Sequence, residues 1–215
     1  MRAMCMETAG TQTKVKICGL TRMEDVICVN QCRPDYAGFV FAKSRRQVSA
    51  EQAEELRRAM DSEILSVGVF VNGDMDEIVR LARQKVIDLI QLHGDEDAGY
   101  LKRLSKRVKV PIIRAVRVQS KEQIEKAQEQ ECDYLLLDTY HPGQYGGGGR
   151  TFDPALIPPL YKPWFLAGGL DRGNIVEKIQ AHHPFGVDVS SKVETEGKKD
   201  PEKIREFIER VRRLE

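Results

Sequence analysis

Short apolar runs alternate with charged, amphipathic segments along the chain. Eight such runs follow one another: Val15–Cys18, Tyr36–Phe41, Ile64–Val71, Ile87–Leu92, Val110–Val116, Tyr134–Leu137, Trp164–Leu166 and Phe185–Val189. Between several of them an apolar stripe recurs at helical spacing on a charged surface, in Ala50–Met60, Met75–Gln84, Ala98–Arg107 and Lys121–Gln130. Short strands that alternate with helices predict βαβ units and a parallel sheet.

Eight repeated units in one chain predict an α/β fold, a single-domain (β/α)₈ TIM barrel. An open, doubly wound parallel sheet is the alternative. The sixth helical segment, Asp153–Pro159, contains three prolines and predicts only a short helix. No linker rich in Pro, Gly or Ser divides the chain. We therefore expect residues 14–215 to form the barrel and residues 1–13 to form a flexible N-terminal extension.

Composition and charge narrow the classes of function. The 215 residues carry a net charge of +1, with 41% hydrophobic and 31% charged residues. This balance predicts neither nucleic acid nor an anionic membrane as a partner. No apolar stretch approaches the ~20 residues of a membrane span, and the first residues lack the apolar core of a signal peptide. We expect a cytoplasmic protein.

The cysteines and histidines do not have the spacing of a metal site. Five cysteines are an odd number without a disulfide-framework pattern. Cys28 and Cys32 lie four apart in a helical segment, but no second pair and no suitably spaced histidines complete a set of ligands. We predict that these cysteines pack as buried small hydrophobic side chains, with no metal and no cofactor.

A thiol and a carboxyl group end two of the predicted strands. If Val15 and Ile17 pack outward against a helix, Lys16 and Cys18 point to the other face, with Cys18 at the carboxyl end. Asp138 ends the apolar run Leu135–Leu137 in the same way. Active sites of (β/α)₈ barrels lie at the carboxyl ends of the strands. Cys18 and Asp138 are therefore a candidate pair of base and acid.

Other polar residues fall at the same predicted rim. Arg46 follows the second strand, and its guanidinium has the shape to grip a carboxylate by two parallel hydrogen bonds. A solvated basic pair with Arg45 is the alternative. Gln91 and His93 alternate with Leu92 and therefore share a face of the fourth strand. They are either residues of the site or polar residues at the strand end whose hydrogen bonds are made within the fold. Arg114 lies at the corresponding point of the fifth strand.

Two loops predict a phosphate site. The pair Gly168-Gly169 follows the seventh strand. The eighth strand ends in the segment from Asp188 to Ser191, which includes the two serines Ser190 and Ser191. Loops at these positions of a (β/α)₈ barrel commonly bind phosphate through backbone N–H groups. A tight turn is the alternative for the glycine pair alone. A further glycine run, Gly146–Gly149 after Asp138, indicates a loop that closes over a ligand, or a flexible connection.

These motifs together resemble the phosphoribosylanthranilate isomerase family. The matching segments are Lys16 to Thr21, Gly38 to Phe41 with Ser44 to Arg46, Val67 to Phe70, Gln91 to Gly94, Leu136 to Thr139, Gly168 to Leu170 and Asp188 to Ser191. They occur in order and with compatible spacing from about Lys14 to the C-terminus. The resemblance implies a metal-free Amadori rearrangement in tryptophan biosynthesis. It converts N-(5-phosphoribosyl)anthranilate to 1-(2-carboxyphenylamino)-1-deoxyribulose 5-phosphate.

The resemblance also implies roles for individual residues. Asp138 is the general acid at the furanose ring oxygen, and Cys18 is the general base at C2 of the sugar. Arg46 holds the anthranilate carboxylate, and Asp188 lies near the substrate. A modest lowering of the Cys18 pKa from the ordinary thiol value is expected for such a base. The partner is then a small phosphosugar, and the protein is a monomer or a homodimer.

The chain departs from the family pattern at two points. Lys192 stands where the family usually has glycine, and it either disturbs the phosphate site or supplies a cation to it. The loop Ala42 to Ser44 is one residue shorter than in many relatives.

Two other functions stay open. One is a different phosphosugar barrel, such as the histidine-pathway aminoaldose isomerase, which has a carboxylate where Cys18 stands. The other is a phosphoribosyl-binding module without turnover.

Overall fold

Eight parallel strands close into a barrel in the order in which they follow one another along the chain. They are β1 (Lys14–Cys18), β2 (Tyr36–Val40), β3 (Leu65–Phe70), β4 (Leu89–Leu92), β5 (Ile112–Val118), β6 (Tyr134–Thr139), β7 (Trp164–Leu166) and β8 (Gly186–Val189). β8 pairs with β1 and closes the ring. The computed structural model, which describes residues 12–139 and 156–214, confirms the predicted (β/α)₈ barrel and rules out the open sheet.

Helices surround the barrel. Those in the described ranges are α1 (Met23–Cys32), α2 (Ala50–Ala59), α3 (Met75–Arg83), α4 (Ala98–Ser105), α5 (Lys121–Gln128), α6 (Ile175–His182) and α7 (Pro201–Arg212). Polar side chains fix several helix starts: Ser49, Asp74 and Asp97 each accept a backbone N–H of the first turn. None of these helices is long and apolar enough to cross a membrane.

Two stretches with sequence predictions lie outside the described residues. One is the glycine run Gly146–Gly149, and the other is residues 153–155, the first three of the short helix predicted at Asp153–Pro159. Residues 1–11 of the predicted extension lie outside them as well. After β8 the chain forms a short 3₁₀ turn at Ser191–Val193 and a two-stranded hairpin, β9 (Glu194–Thr195) and β10 (Lys198–Lys199). The eight-fold pattern did not predict this hairpin.

Alternation along each strand divides the core into two layers. Val15 and Ile17 of β1 belong to the large cluster between barrel and helices, as predicted. A smaller cluster fills the inside of the barrel: Tyr36, Val67, Leu89, Ile113, Ala115, Leu136, Phe165 and Ala167. The interior is therefore packed below the mouth, and apart from Lys16 on β1 the polar groups of this face collect where the strands end.

Phe165 is the centre of the interior cluster. It is fully buried, and its ring makes edge contacts with Tyr36 and Phe185, each at a centroid distance of 5.4 Å. Gly186 of β8 lies against the same ring, where an added Cβ would come within 2.7 Å of it. The large aromatic side chain therefore fits because its neighbour on the adjacent strand has no side chain.

Three aspartates join neighbouring strands at the opposite rim of the barrel. Asp35, Asp88 and Asp133 each directly precede an even-numbered strand. Their carboxylates accept the backbone N–H of Val15, Ser66 and Ile112 at 2.9, 2.9 and 2.8 Å. Each bond ties one strand to the next and fixes their relative register. We refer to these three residues as the aspartate clamps.

Truncating the interior ring should destabilise the barrel. We expect Phe165→Ala to lower the free energy of unfolding by ~3–5 kcal/mol, because it removes buried apolar surface and leaves a cavity. Urea unfolding followed by circular dichroism measures this loss. Tyr161→Ala is the control, since Tyr161 is 60% exposed, and should change the value by less than about 0.5 kcal/mol. Equal losses in both variants would contradict the interior role of Phe165.

Candidate active site

A cavity of about 430 Å³ opens at the carboxyl ends of the strands. All ten residues predicted for the site line it: Cys18, Arg46, Gln91, His93, Asp138, Gly168, Gly169, Asp188, Ser190 and Ser191. Lys192 also contributes to the wall. Alternation of side chains along the strands accounts for part of this convergence, because Gln91 and Asp138 follow the interior residues Leu89 and Leu136 on the same face.

Cys18 is nearly buried at the end of β1. Gly38 on the adjacent strand leaves room for the sulfur, since a Cβ at position 38 would lie 2.8 Å from Sγ. Burial raises the pKa of the Cys18 thiol, and the nearby cations Lys16 and Lys199 offset only part of that effect. The predicted lowering of the Cys18 pKa is therefore wrong: loss of water around the buried sulfur outweighs the neighbouring positive charges.

Lys16 precedes Cys18 on the same interior face and is fully buried. Its Nζ lies 3.0 Å from Oδ1 of Asp188, which is the register partner of Lys16 across the β1–β8 pair. Burial alone would lower the Lys16 pKa, but Asp188 and Cys18 together raise it above its ordinary value. Lys16 is thus a buried cation directly below the cavity. The alternation of Val15 and Ile17 indicated its direction, but not its role.

On the far side of the mouth, His93 joins two polar side chains. Its Nε2 lies 3.3 Å from Oδ2 of Asp138, and its Nδ1 lies 3.2 Å from the amide nitrogen of Gln91. An amide nitrogen can only donate, so Nδ1 of His93 accepts from Gln91. Within the described residues Nε2 lies near Asp138 but has no well-oriented hydrogen bond to it. Gln91, His93 and Asp138 thus lie side by side in the cavity wall.

Arg46 enters the cavity wall already paired. Its Nε and Nη2 lie 2.7 and 2.9 Å from the two carboxylate oxygens of Glu194, in the two-bond geometry that was expected for a substrate carboxylate. Arg45 and Lys199 contact the same carboxylate at 2.8 Å each. Burial raises the pKa of Glu194, but these partners together hold it below its usual range.

Glu194 and Lys199 were missed by sequence reasoning. They lie in the β9–β10 hairpin, beyond the motif that ends at Ser191, and no periodic pattern marks them. Lys199 also donates to the carbonyl of Ser190, so the hairpin is bonded directly to the end of β8. The hairpin thereby connects the loop after β2 with the loop after β8.

The two loops predicted to bind phosphate lie next to each other in the cavity wall. Gly168 and Gly169 have φ values of +83° and +66°, a conformation that side chains disfavour. Asn174 donates to the carbonyl of Gly169 and holds this turn in place. Ser190 donates to the carbonyl of Cys18, which links the phosphate loop to the end of β1.

The fifth strand differs from the prediction. Arg114 points away from the interior and pairs with Glu96 at 2.9 Å, so it does not line the cavity. Arg117 shares the interior face with Ile113 and Ala115, and it donates to the carbonyl of His93. The strand extends two residues beyond its predicted end at Val116, and this extension places Arg117 at the mouth. Within the described ranges no cluster of His, Cys, Asp and Glu has the arrangement of a metal site.

Comparison with known proteins gives a consistent result. The sequence profile of the family described as N-(5'phosphoribosyl)anthranilate (PRA) isomerase matches residues 15–210. The N-(5'-phosphoribosyl)anthranilate isomerase of Endomicrobium trichonymphae is 49% identical over 201 residues, which cover 94% of this chain and 99% of that protein.

Solved structures agree with the sequence match. The phosphoribosyl anthranilate isomerase of Thermotoga maritima has a TM-score of 0.83 at 36% identity, over 93% of this chain and 98% of that one. A further phosphoribosyl anthranilate isomerase was solved in complex with reduced 1-(o-carboxyphenylamino)-1-deoxyribulose 5-phosphate. It has a TM-score of 0.76 at 32% identity, again over 93% and 98%.

The Glu194 cluster should make stability depend on pH. We expect Glu194→Gln to lower the free energy of unfolding by about 3 kcal/mol at pH 7, because it leaves Lys199 buried without its anion. The folded-state pKa of Glu194 is lowered, so its contribution is complete above the ordinary value of 4.5 and is lost as pH falls through the folded pKa.

Urea unfolding at pH 7, 5, 4 and 3 measures this effect. The difference between wild type and variant should stay constant down to pH 5 and narrow below it. Glu54→Gln is the matched control, since Glu54 forms an exposed pair with Arg58 within one helix. A Glu194→Gln difference that is independent of pH would contradict the assignment.

Proposed function

The chain belongs to the N-(5'-phosphoribosyl)anthranilate isomerase family, and on this basis we propose how its own residues carry out the reaction. The enzyme isomerises N-(5'-phosphoribosyl)anthranilate, an aminoaldose, to the aminoketose 1-(2-carboxyphenylamino)-1-deoxyribulose 5-phosphate in tryptophan biosynthesis. Asp138 acts as general acid and Cys18 as general base. The observation that carries this assignment is that both side chains face one cavity, from opposite sides of the barrel mouth.

The first step opens the sugar ring. Asp138 donates a proton to the furanose ring oxygen, the C1–O bond breaks, and the anthranilate nitrogen forms a Schiff base with C1. His93 lies beside this acid, with Nε2 3.3 Å from Oδ2, although the two atoms are not oriented for a hydrogen bond within the described residues. Gln91 holds the imidazole in place through Nδ1.

The second step moves the double bond. The thiolate of Cys18 removes the proton from C2, the electrons shift toward the nitrogen, and the resulting enolamine tautomerises to the ketone. A thiol whose pKa is raised by burial rests in the protonated form at neutral pH. The active fraction therefore depends on the positive charge next to the sulfur, and Lys16 is the nearest such group on β1.

The two ends of the substrate are both anionic. Gly168, Gly169, Ser190 and Ser191 form the proposed phosphate site, with Lys192 at its edge. At the other end, Arg46 is the proposed partner of the anthranilate carboxylate. Glu194 already engages Nε and Nη2 of Arg46. This pairing favours contact through the remaining Nη1 over the two-bond grip that the sequence predicted.

Removing either catalytic group should lower the rate much more than the affinity. We expect Cys18→Ala and Asp138→Asn each to reduce kcat by ~10²–10⁴-fold, the usual contribution of a positioned acid or base. The measurement is the loss of fluorescence of freshly generated phosphoribosylanthranilate. Cys132→Ala, which changes a thiol next to Lys162 at the start of β6, is the control and should retain full activity. Near-wild-type turnover in either variant would remove that residue from the mechanism.

Different mutations should weaken binding of the substrate carboxylate and binding of its phosphate. Arg46→Ala should weaken binding of the reduced product analogue by roughly ten- to a hundred-and-fifty-fold, since a lost charge-assisted hydrogen bond costs about 1.5–3 kcal/mol. Inorganic phosphate should bind about as before. Ser191→Ala should weaken both ligands, because both carry the phosphate group.

Competition titrations with the two ligands measure these affinities. Arg45→Ala is the matched control. It also removes an arginine contact with the Glu194 carboxylate, but the Arg45 side chain does not line the cavity. If Arg46→Ala weakened phosphate and analogue equally, Arg46 would support the loop structure and would not bind the carboxylate.

A further inference from the structure

Packing of the barrel does not explain why a charged residue, Lys16, is buried in its interior. Its side chain is completely buried, at a position where the interior of the barrel is otherwise apolar or opens into the cavity. Burying an ammonium group is costly unless an anion lies beside it. Asp188 supplies that anion at 3.0 Å, yet neither Nζ nor Oδ1 has a well-oriented hydrogen bond within the described residues.

The sulfur of Cys18 is the other group within reach of this ammonium. Cys18 and Lys16 lie two residues apart on one strand and point to the same interior face, one layer apart. Gly38 keeps the space beside Sγ free of other atoms. The ammonium of Lys16 is therefore shared between a permanent anion, Asp188, and a group that becomes an anion when it loses its proton.

We propose that Lys16 and Asp188 form a charge pair that controls the ionisation of Cys18, with Lys16 as a positioning residue that stabilises the thiolate. Asp188 keeps Lys16 protonated and limits its effect on the sulfur. This inference rests on the proposed function, in which Cys18 is the base. It adds that two residues with opposite charges act on that base in opposite directions.

Other charged groups also surround the sulfur and must be accounted for. They come from the loop after β2, the loop after β8, the β9–β10 hairpin and the far side of the mouth: Lys43, Arg46, Lys192, Glu194, Lys199, His93 and Asp138. Lys199 acts on Cys18 in the same direction as Lys16, and each of the two cations is paired with a carboxylate. Lys16 lies on the same strand and the same interior face as Cys18, so we expect the larger effect from it.

The reactivity of the Cys18 thiol tests the proposal without depending on turnover. The rate of alkylation by iodoacetamide is proportional to the thiolate fraction, and peptide mass spectrometry resolves Cys18 from the other cysteines. The rate is measured from pH 6 to 10 for wild type, Lys16→Met, Asp188→Asn and the double variant. Each tenfold change in thiolate fraction corresponds to one pKa unit.

The two single variants should move in opposite directions. Lys16→Met should slow alkylation at pH 8 by about tenfold or more, and Asp188→Asn should accelerate it at pH 7 by about tenfold. The double variant should return close to wild type. Lys14→Met is the matched control: it lies on the same strand and pairs with Asp35 at 3.0 Å, but at the opposite end of β1. It should leave the curve unchanged.

Shifts of both single variants in the same direction, or unchanged curves, would overturn the proposal, because a merely structural role moves both alike. If Lys16→Met does not fold, Asp188→Asn and the double variant still decide the outcome. The pH dependence of kcat in the same variants separates this inference from the proposed function. Shifted alkylation curves with unshifted kcat profiles would uphold the charge pair and remove Cys18 from the reaction.

Discussion

A charge inside a closed barrel has no water around it, and the arrangement of this site follows from that constraint. Lys16 is fully buried, so an anion has to lie within contact distance. Asp188 meets this requirement because β8 pairs with β1 in a register that places the two residues opposite each other. The same strand pair brings Ser190 to the carbonyl of Cys18. The pairing of β1 with β8 thus closes the barrel, places Asp188 beside the buried charge of Lys16, and holds the proposed phosphate loop at Ser190.

The cavity wall is held together by charges that pair with one another before any ligand binds. Glu194 gathers Arg45, Arg46 and Lys199, and it connects the loop after β2 to the hairpin after β8. On the other side, Gln91 bonds to His93, which lies 3.3 Å from Asp138. Such pairing restricts side chains with many rotamers and reduces the conformational entropy that binding would otherwise cost. A doubly anionic ligand then meets groups that are already oriented.

Much of this could be predicted from the sequence, and the failures have physical causes. The strand Trp164–Leu166 and the ten cavity residues followed from apolar runs that end in polar residues. The end of β5 was predicted at Val116, before Arg117 interrupts the apolar run, although the strand continues to Val118. Glu194 and Lys199 could not be found, since the pairing of Glu194 with Arg46 joins positions about 150 residues apart and Lys199 acts through Glu194. The direction of the Cys18 pKa depends on burial in three dimensions, which a motif does not contain.

The aspartate clamps have a consequence for how such a protein tolerates change. Asp35, Asp88 and Asp133 fix strand register at the rim opposite the cavity, and their backbone bonds involve none of the cavity residues. Register at that rim therefore does not depend on which side chains line the mouth. Substitutions around the cavity can accumulate without shifting the strands, provided that the buried charges remain balanced. One set of strands thus has its alignment fixed by backbone bonds at one end and carries an adaptable surface at the other.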